Sequence, residues 1–331
     1  MAGGLSTRLY PLTLDLPKPL VPVLDRPVLG HVTEYLRDFG VDDLVVNVHY
    51  FPEAVTSYAG DGSGFGVRIS YLREPELMGS AGAVRAVADR FSETFVVIGC
   101  DDVTNLDLTA ALEFHRARKA EATIVLTEVA DVSQYGAVIV DSLGRIVEFQ
   151  EKPPRGTERS KLANTGIYIF EPRLLERIPQ KTFYDFGKQV FPELLTAKAA
   201  FYGMHQQGYW CDIGTPGEYR RVHRDALEGR IALAPPDGAR IAHHVLIGAG
   251  STISPKATIT GPTCIGARCT LEDGAQLVSS ILWQGVRVGA DASVRDAVLG
   301  NDVVVADGAV IQGGEYGGGT RIESAMFESP P

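Results

Sequence analysis

Aliphatic residues recur at every sixth position in the last third of this chain, and this period limits the folds it can adopt. The uninterrupted series consists of Ile241, Ile247, Ile253, Ile259, Ile265, Leu271 and Leu277. The register slips near residue 280, and the later members of the pattern are Val288, Val294, Leu299, Val305 and Ile311. Short periodic repeats are typical of a solenoid, whereas a β-sandwich does not require a period of six. We expect about four coils of a parallel β-helix over positions 241–311.

The first two-thirds of the chain have a different texture. The expected strands lie at positions 44–48, 67–72, 95–98 and 123–127, and the expected helices at 28–39, 81–91 and 108–120. This alternation predicts a Rossmann-like α/β domain with a mostly parallel sheet. Later apolar runs, from position 137 to 170, lie closer together, so part of the sheet is expected to be mixed. We place this domain at 1–232, the β-helix at 233–313 and a flexible tail at 314–331.

The charge balance limits the partners. The chain has 31 Lys and Arg residues against 41 Asp and Glu, a net charge of −10. With no basic run, neither nucleic acid nor an anionic membrane is expected as the main partner, although a small anionic substrate needs only a few cations. No apolar run approaches the roughly 18 residues of a membrane span. We expect no secretory leader, because residues 1–4 show no apolar h-region. The expected location is the cytoplasm.

A Gly-rich segment that carries cations opens the chain. Gly3 and Gly4 are followed by Arg8, and Lys18 lies between two prolines. Adjacent glycines let backbone N–H groups approach phosphate oxygens, and the two cations suit the same ligand. Taken alone, these residues fit an ordinary loop better than a phosphate site.

The surrounding motifs carry a more specific signal. Positions 2–13 read AGGLSTRLYPLT and 17–19 read PKP, followed by GSAG at 79–82, Asp101, FQEKP at 149–153, NTG at 164–166 and YWCDIGTP at 209–216. This series resembles the sugar-1-phosphate nucleotidyltransferases, whose signature is G-G-x-G-T-R-L-x-P-L-T followed by P-K-P, and within them the bacterial mannose-1-phosphate guanylyltransferase branch. Many members carry a C-terminal left-handed hexapeptide β-helix, so the resemblance covers essentially the whole chain.

The resemblance implies a reaction and residue roles. A sugar 1-phosphate would attack the α-phosphorus of a nucleoside triphosphate and release pyrophosphate, which needs positioning and charge neutralisation more than covalent help. The implied catalytic residues are Arg8, Lys18 and Asp101. The implied nucleotide-binding residues are Gly3, Gly4, Arg8, Glu74 and Gly79. The implied sugar-phosphate-binding residues are Gly136, Glu151, Lys152 and Asn164.

The same resemblance implies a magnesium site. Asp101 and Asp212 would bind Mg²⁺, a hard cation that prefers carboxylate and phosphate oxygens. Asp101 follows the expected strand at 95–98, and ligand sites of α/β domains lie at the carboxyl ends of strands. A lone Asp after a strand is more often a loop or cap residue, so the assignment depends on the family's G-D element, which selects Asp101 over Asp102.

The choice of substrates stays open. Glu74 lies in the segment that resembles the family's base-binding loop, and a carboxylate can accept from both N1–H and N2–H₂ of guanine. This favours GTP with mannose 1-phosphate, giving GDP-mannose. The alternatives are glucose 1-phosphate with dTTP or UTP, a non-catalytic regulatory homologue, and a hexapeptide acyltransferase. The β-helix is expected to serve assembly into a homo-oligomer.

Several positions depart from the family pattern. Members open with a hydrophobic strand of about five residues, but only two residues precede Gly3, so a mis-assigned or truncated start is expected. Ser6 replaces the third signature glycine, which is tolerated if its φ is negative. Cys100 stands where a glycine is usual, and Asn105 where a second acidic residue is common. Cys100 and Cys211 each precede an implied metal ligand, and strand alternation predicts buried thiols that point away from it.

Overall fold

The computed structural model describes residues 1–4, 6–323 and 326–327. The chain divides into two compact units. The first unit consists of Met1–Gly4 and Val32–Trp210, and the second of Leu5–His31 and Cys211–Pro331. The division therefore falls inside the Gly-rich opening segment. Among the described residues, no helix is long and apolar enough to cross a membrane.

The first unit is built on a six-stranded sheet. Its strands are Phe95–Val97, Ala122–Glu128, Gly136–Val140, Ile146–Glu151, Leu162–Phe170 and Phe201–His205. Phe201–His205 runs parallel to Ala122–Glu128, whereas Leu162–Phe170 pairs antiparallel with three neighbours. Ala122–Glu128 is buried at every position but the last, as expected for a strand that is covered on both faces. The predicted α/β class and the mixed later part of the sheet are confirmed.

A second pair of strands in this unit is parallel. Asp43–Val48 pairs with Arg68–Arg73, and Asn47 lies opposite Leu72. The backbone of Met1 makes the two hydrogen bonds of a parallel ladder, since its N–H donates to Ile98 O (2.6 Å) and its carbonyl accepts from Cys100 N (3.0 Å). The prediction of a mis-assigned or truncated start is not tested by these contacts.

Helices and short turns connect the strands. The α-helices are Val28–Asp38, Pro52–Ala59, Gly79–Ala86, Leu108–Ala117, Phe191–Thr196 and Pro216–Leu227. The shorter helical turns are Thr7–Leu9, Lys18–Leu20, Ser63–Phe65, Ala88–Arg90, Pro172–Arg177 and the π-type turn Phe186–Val190. The short strands are Pro22–Val23, Arg26–Pro27, Asp102–Thr104 and Trp210–Asp212. Side-chain caps fix helix starts, as where Asp107 accepts from Ala110 N at 2.9 Å.

The second unit contains a three-sided parallel β-solenoid with five strands on each side. Its strands are Val245–Ile247, Thr252–Ile253, Thr258–Thr260, Thr263–Ile265, Thr270–Leu271, Gln276–Val278, Ile281–Leu282, Arg287–Val288, Ser293–Arg295, Val298–Leu299, Val304–Val305, Val310–Gln312, Glu315–Tyr316, Arg321–Ile322 and Met326–Phe327. The periodic aliphatic residues from Ile247 onward form or pack against one core cluster. The predicted β-helix is confirmed.

The length of a turn changes along the solenoid. Val245 pairs with Thr263, a separation of 18 residues, whereas Cys264 pairs with Ile281, a separation of 17. From that point the inward positions are spaced six, six and five residues apart. This shortening of one side explains the slip of the aliphatic register near residue 280.

Two predicted boundaries of the repeat differ from the structure. Ile241 is 43% exposed, because Arg240–Ala242 pairs antiparallel with the first solenoid strand instead of stacking in a turn. The expected flexible tail from 314 is wrong for the residues up to 322, because Glu315–Tyr316 and Arg321–Ile322 continue two faces of the solenoid. The aliphatic repeat did not predict this last turn, because its inward residue is the aromatic Tyr316 and glycines follow it. The rest of that tail lies mostly outside the described residues.

Candidate active site

A carboxylate in the second unit holds two of the predicted cations. Lys18 Nζ lies 3.1 Å from Asp212 Oδ1, and Lys18 is only 8% exposed. Arg8 Nη2 lies 3.9 Å from Asp212 Oδ2, but the Arg8 side chain is 49% exposed. A Cβ built on Gly214 would lie 2.7 Å from Arg8 Nη2, so this glycine keeps the space in which the pair meets. Lys18 is thus held closely by Asp212, while Arg8 lies farther from the carboxylate and is exposed enough to reach a ligand from solvent.

The backbone of Ser6 corrects one expectation. Its φ is +56° and its ψ +32°, in the left-handed region, so the negative φ given as the condition for a non-glycine residue here is not met. The carbonyl of Ser6 accepts hydrogen bonds from Leu9 N (3.2 Å) and Thr13 Oγ1 (2.9 Å), which hold this conformation. The glycine of the family signature is explained by this geometry, because glycine adopts positive φ at no steric cost.

The three glycines that are predicted to bind the nucleotide, Gly3, Gly4 and Gly79, meet different surroundings. A Cβ on Gly3 would lie 2.8 Å from Asn47 Nδ2 and 3.0 Å from Glu74 Oε1. A Cβ on Gly4 would meet no heavy atom of the described residues within 4 Å. Gly79 has a φ of +74° and packs against the backbone of Tyr184. Of these three glycines, Gly4 is the one beside which the described residues leave open space.

Glu74 is buried and already hydrogen-bonded. It is 4% exposed, and its carboxylate accepts from Asn47 Nδ2 (2.6 Å) and from Met78 N (2.9 Å). Sequence reasoning overlooked Asn47, since one polar residue in an apolar strand gives no signal of its partners. A role of Glu74 in reading the base stays a prediction.

The two adjacent aspartates of the first unit have different environments. Asp102 is buried and accepts from Trp210 Nε1 at 3.0 Å, and the same N–H lies 3.0 Å from Thr165 O. Asp101 is partly exposed. A Cβ on Gly99 would collide with both carboxylates, which explains the glycine two residues before Asp101. Of the two, Asp101 is therefore the carboxylate that a ligand can reach.

The donor chemistry of the predicted metal ligands fits Mg²⁺. Asp101 belongs to the first unit and Asp212 to the second. Within the described part of the chain there is no group of three or more His, Cys, Asp or Glu residues that could hold a metal ion. Mg²⁺ in phosphate-handling enzymes is commonly held by one or two carboxylates together with substrate phosphates and water. Metal binding by these residues stays a prediction.

Three of the predicted sugar-phosphate residues lie on neighbouring strands. Gly136 is paired with Glu151, and Asn164 lies on the strand beside Gly136. The amide of Asn164 donates to Tyr168 Oη at 3.0 Å, which fixes its orientation. Lys152 is exposed and has a φ of +45°, and its N–H donates to the Tyr135 carbonyl. The structure thus brings Gly136, Glu151 and Asn164 together, with Lys152 next to Glu151 in the chain.

Two further residues of this region were missed from the sequence. A Cβ on Gly187 would lie 2.7 Å from Glu151 Oε2, so the missing side chain makes room for that carboxylate. Asp185 accepts from Ser80 Oγ (2.9 Å) and from Gly187 N (3.0 Å), which ties the 79–82 segment to this region. Burial raises the pKa of the Glu151 carboxyl, Lys152 opposes this shift, and the charge of Asp185 adds to it.

The four cysteines are buried and form no disulfide, and the burial of Cys100 and Cys211 was predicted. Cys211 Sγ lies 3.4 Å from Glu218 Oε2, and burial raises the pKa of this thiol. Burial therefore disfavours the reactive thiolate form of the thiol next to Asp212.

Comparison with family models identifies the family of the chain. A family model described as "Nucleotidyl transferase" matches residues 1–229 of the chain. The chain belongs to the nucleotidyl transferase family. A second model, described as "GMPPB C-terminal domain", matches residues 241–325 and so covers the solenoid of this nucleotidyltransferase.

Curated relatives are similar over most of their length. The nucleotidyltransferase is 35% identical to a UTP–glucose-1-phosphate uridylyltransferase of Synechocystis, over 94% of the chain and 89% of the relative. It is 33% identical to a mannose-1-phosphate guanylyltransferase of Mycobacterium tuberculosis, over 89% of the chain and 82% of the relative. Among solved structures, HddC from Yersinia pseudotuberculosis in complex with GMP-PN superposes with a TM-score of 0.59 at 26% identity, over 67% of the chain and 95% of HddC. The protein is a sugar-1-phosphate nucleotidyltransferase.

Proposed function

We propose that the enzyme transfers a guanylyl group from GTP to mannose 1-phosphate, giving GDP-mannose and pyrophosphate. The observation that carries the chemistry is the buried Lys18 held by Asp212, with the exposed Arg8 beside it. Relatives described as mannose-1-phosphate guanylyltransferases match both the catalytic part and the solenoid, and this supports the choice of substrates.

In the proposed mechanism, positively charged side chains surround the reacting phosphates. An oxygen of the sugar 1-phosphate attacks the α-phosphorus in line, the bond to the bridging oxygen of the β-phosphate breaks, and pyrophosphate leaves. The attacking phosphate is largely ionised at neutral pH, because its second pKa is about 6, so no general base is required. The backbone at Gly3, Gly4 and Gly79 with Arg8 holds the nucleotide, and Lys18 neutralises charge at the reacting phosphates.

The sugar phosphate is held by a separate set of residues. Lys152 pairs with its phosphate, while Glu151, Asn164 and the Gly136 backbone take the sugar hydroxyls. Asp101 and Asp212 are the residues that would hold Mg²⁺, which neutralises phosphate oxygens when bound. Because both substrates are charged and do not cross membranes, we place the reaction in the cytoplasm, and we assign the solenoid to assembly of a homo-oligomer.

The alternative substrate pair is glucose 1-phosphate with UTP or dTTP. It is favoured by the 35% identity to the uridylyltransferase. A non-catalytic role is less well supported, since all four residues proposed for catalysis and metal binding are present: Arg8, Lys18, Asp101 and Asp212.

Pyrophosphate release with Mg²⁺ tests the proposal. Four nucleoside triphosphates are combined with mannose and glucose 1-phosphates, and we expect the highest kcat/KM for GTP with mannose 1-phosphate. Lys18→Gln should lower kcat by about 10² to 10³. The matched control is Lys256→Gln, which removes an exposed lysine paired with Asp273 on the solenoid and should leave kcat unchanged. A maximum with UTP and glucose 1-phosphate would replace the proposed substrates, and full activity of Lys18→Gln would overturn the mechanism.

A further inference from the structure

A buried amide–carboxylate pair lies directly beneath Gly3. Asn47 is 7% exposed and is the last residue but one of the strand Asp43–Val48. Glu74 directly follows the neighbouring parallel strand, Arg68–Arg73. Asn47 Oδ1 accepts from Ala2 N at 2.7 Å, and its Nδ2 donates to Glu74 Oε1 at 2.6 Å. Glu74 Oε2 accepts from Met78 N at 2.9 Å. This Asn47–Glu74 link connects the start of the glycine loop with the residue before Gly79.

The chemistry of the link leaves little choice of side chains. Backbone N–H groups stand at both of its ends, so each end needs an acceptor. An amide presents an acceptor to Ala2 and a donor to its partner, and a carboxylate accepts on both sides. Because both side chains are buried, any mismatch leaves a polar group without water or a partner.

The environment of the glycines shows what the link does. Asn47 and Glu74 approach the Gly3 backbone so closely that any Cβ there would lie within about 3 Å of them. Gly3 is therefore a glycine because of this packing, whereas Gly4 borders open space. The link fixes one side of the loop and leaves the other side for a ligand.

We propose that Asn47 and Glu74 are positioning residues that set the Gly3–Gly4 backbone and the Gly79 segment for the triphosphate. The inference depends on the proposed role of this loop in holding the nucleotide. It gives Glu74 a structural task in place of contact with the base, since both carboxylate oxygens already accept protein hydrogen bonds.

Exchanging the amide and the carboxylate between positions 47 and 74 tests the link. Asn47→Asp places two carboxylates against each other, and Glu74→Gln places its amide NH₂ against a donor, either Asn47 Nδ2 or Met78 N. In the double variant, the new carboxylate at position 47 accepts from Ala2 N and from the new amide at position 74, whose oxygen accepts from Met78 N. All three hydrogen bonds are thereby restored. The control is Ser70→Ala, which removes a 3.3 Å bond to Leu44 O from the same strand pair, away from Gly3.

The expected result is a split between the two substrates. Each single variant should raise KM for the nucleotide by about tenfold or more, while KM for the sugar phosphate changes by less than about twofold. The double variant should recover the nucleotide KM to within about threefold, and Ser70→Ala should match the wild type. If a single variant does not fold, recovery of both folding and KM in the double variant carries the same weight.

Other outcomes overturn the inference. Unchanged nucleotide KM in the folded single variants, or a double variant no better than the singles, refutes the positioning role. A double variant that regains affinity but loses its preference for guanine shows that the Glu74 carboxylate reads the base. If the wild type turns over no substrate pair, the proposed reaction fails, and calorimetric titration of wild type and variants with GTP then measures the link directly.

Discussion

Gly214 is the position at which the geometry of the site predicts the sharpest separation of activity from stability. Gly214→Ala would place a Cβ 2.7 Å from Arg8 Nη2 and 2.9 Å from Asp212 Oδ1. Ordinary contacts begin near 3.4 Å, so the guanidinium must move by about 0.7 Å and the carboxylate by about 0.5 Å. The guanidinium and the carboxylate belong to partly exposed side chains, which can shift without unfolding the core.

We expect such displacements to cost about 10- to 100-fold in kcat/KM, or about 1.4–2.7 kcal/mol of transition-state stabilisation. The free energy of unfolding should change by less than about 1 kcal/mol, a shift in Tm of about 2–4 °C at most. Steady-state kinetics and thermal melts measure the two quantities. The matched control is Gly217→Ala, three residues on, where a Cβ would meet only Thr215 Oγ1 at 4.0 Å. Equal activity of Gly214→Ala and Gly217→Ala would refute the reasoning.

Three further changes test other parts of the structure. Ser6→Gly should stabilise the protein by about 0.5–1 kcal/mol, because relief of the left-handed backbone exceeds the added chain entropy of glycine; denaturant unfolding showing a loss of stability would contradict it. Gly187→Ala should raise KM for the sugar phosphate at least fivefold and leave KM for the nucleotide within about twofold, since the new methyl displaces Glu151; an equal effect on both substrates would count against the assignment of Glu151. Burial lowers the folded-state pKa of His223 to about 3, so the unfolded chain binds a proton at a higher pH than the folded chain does. The stability due to neutral His223 is present above pH 6.5 and is lost as pH falls, by about 2 kcal/mol at pH 5. Denaturant unfolding of wild type and His223→Phe at pH 7 and pH 5 should show a larger loss of stability in the wild type. Equal losses in the two proteins would disprove the role of His223.

The sequence was most informative where a pattern repeats or a motif is long. Inward aliphatic residues had to recur once per side of each turn, so the period alone identified the solenoid. The alternation of strands and helices is also a pattern that repeats along the chain, and it identified the α/β unit. The resemblance to a family selected Lys18 and Asp212 before the structure brought them within 3.1 Å.

Contacts between distant residues could not be predicted in this way. Asn47 is a single polar residue in an apolar strand, and its partners lie 45 residues before it and 27 after it. Gly187 is informative only once Glu151 Oε2 is seen to occupy the missing side chain's place. The conformation of Ser6 is set by the carbonyl contacts around it, and residue type alone could not give the sign of φ.

The change from 18 to 17 residues per turn has a consequence for how this chain can vary. The shortening always falls on the same side, between Leu277 and Leu282, between Val294 and Leu299, and between Ile311 and Tyr316. A residue gained or lost at that corner leaves the inward positions of every other side aligned, whereas a change within a strand would turn its side chains to the opposite face. Natural length variation in this unit should therefore collect along one edge, and that edge offers insertion points for tags or loops that leave the core intact.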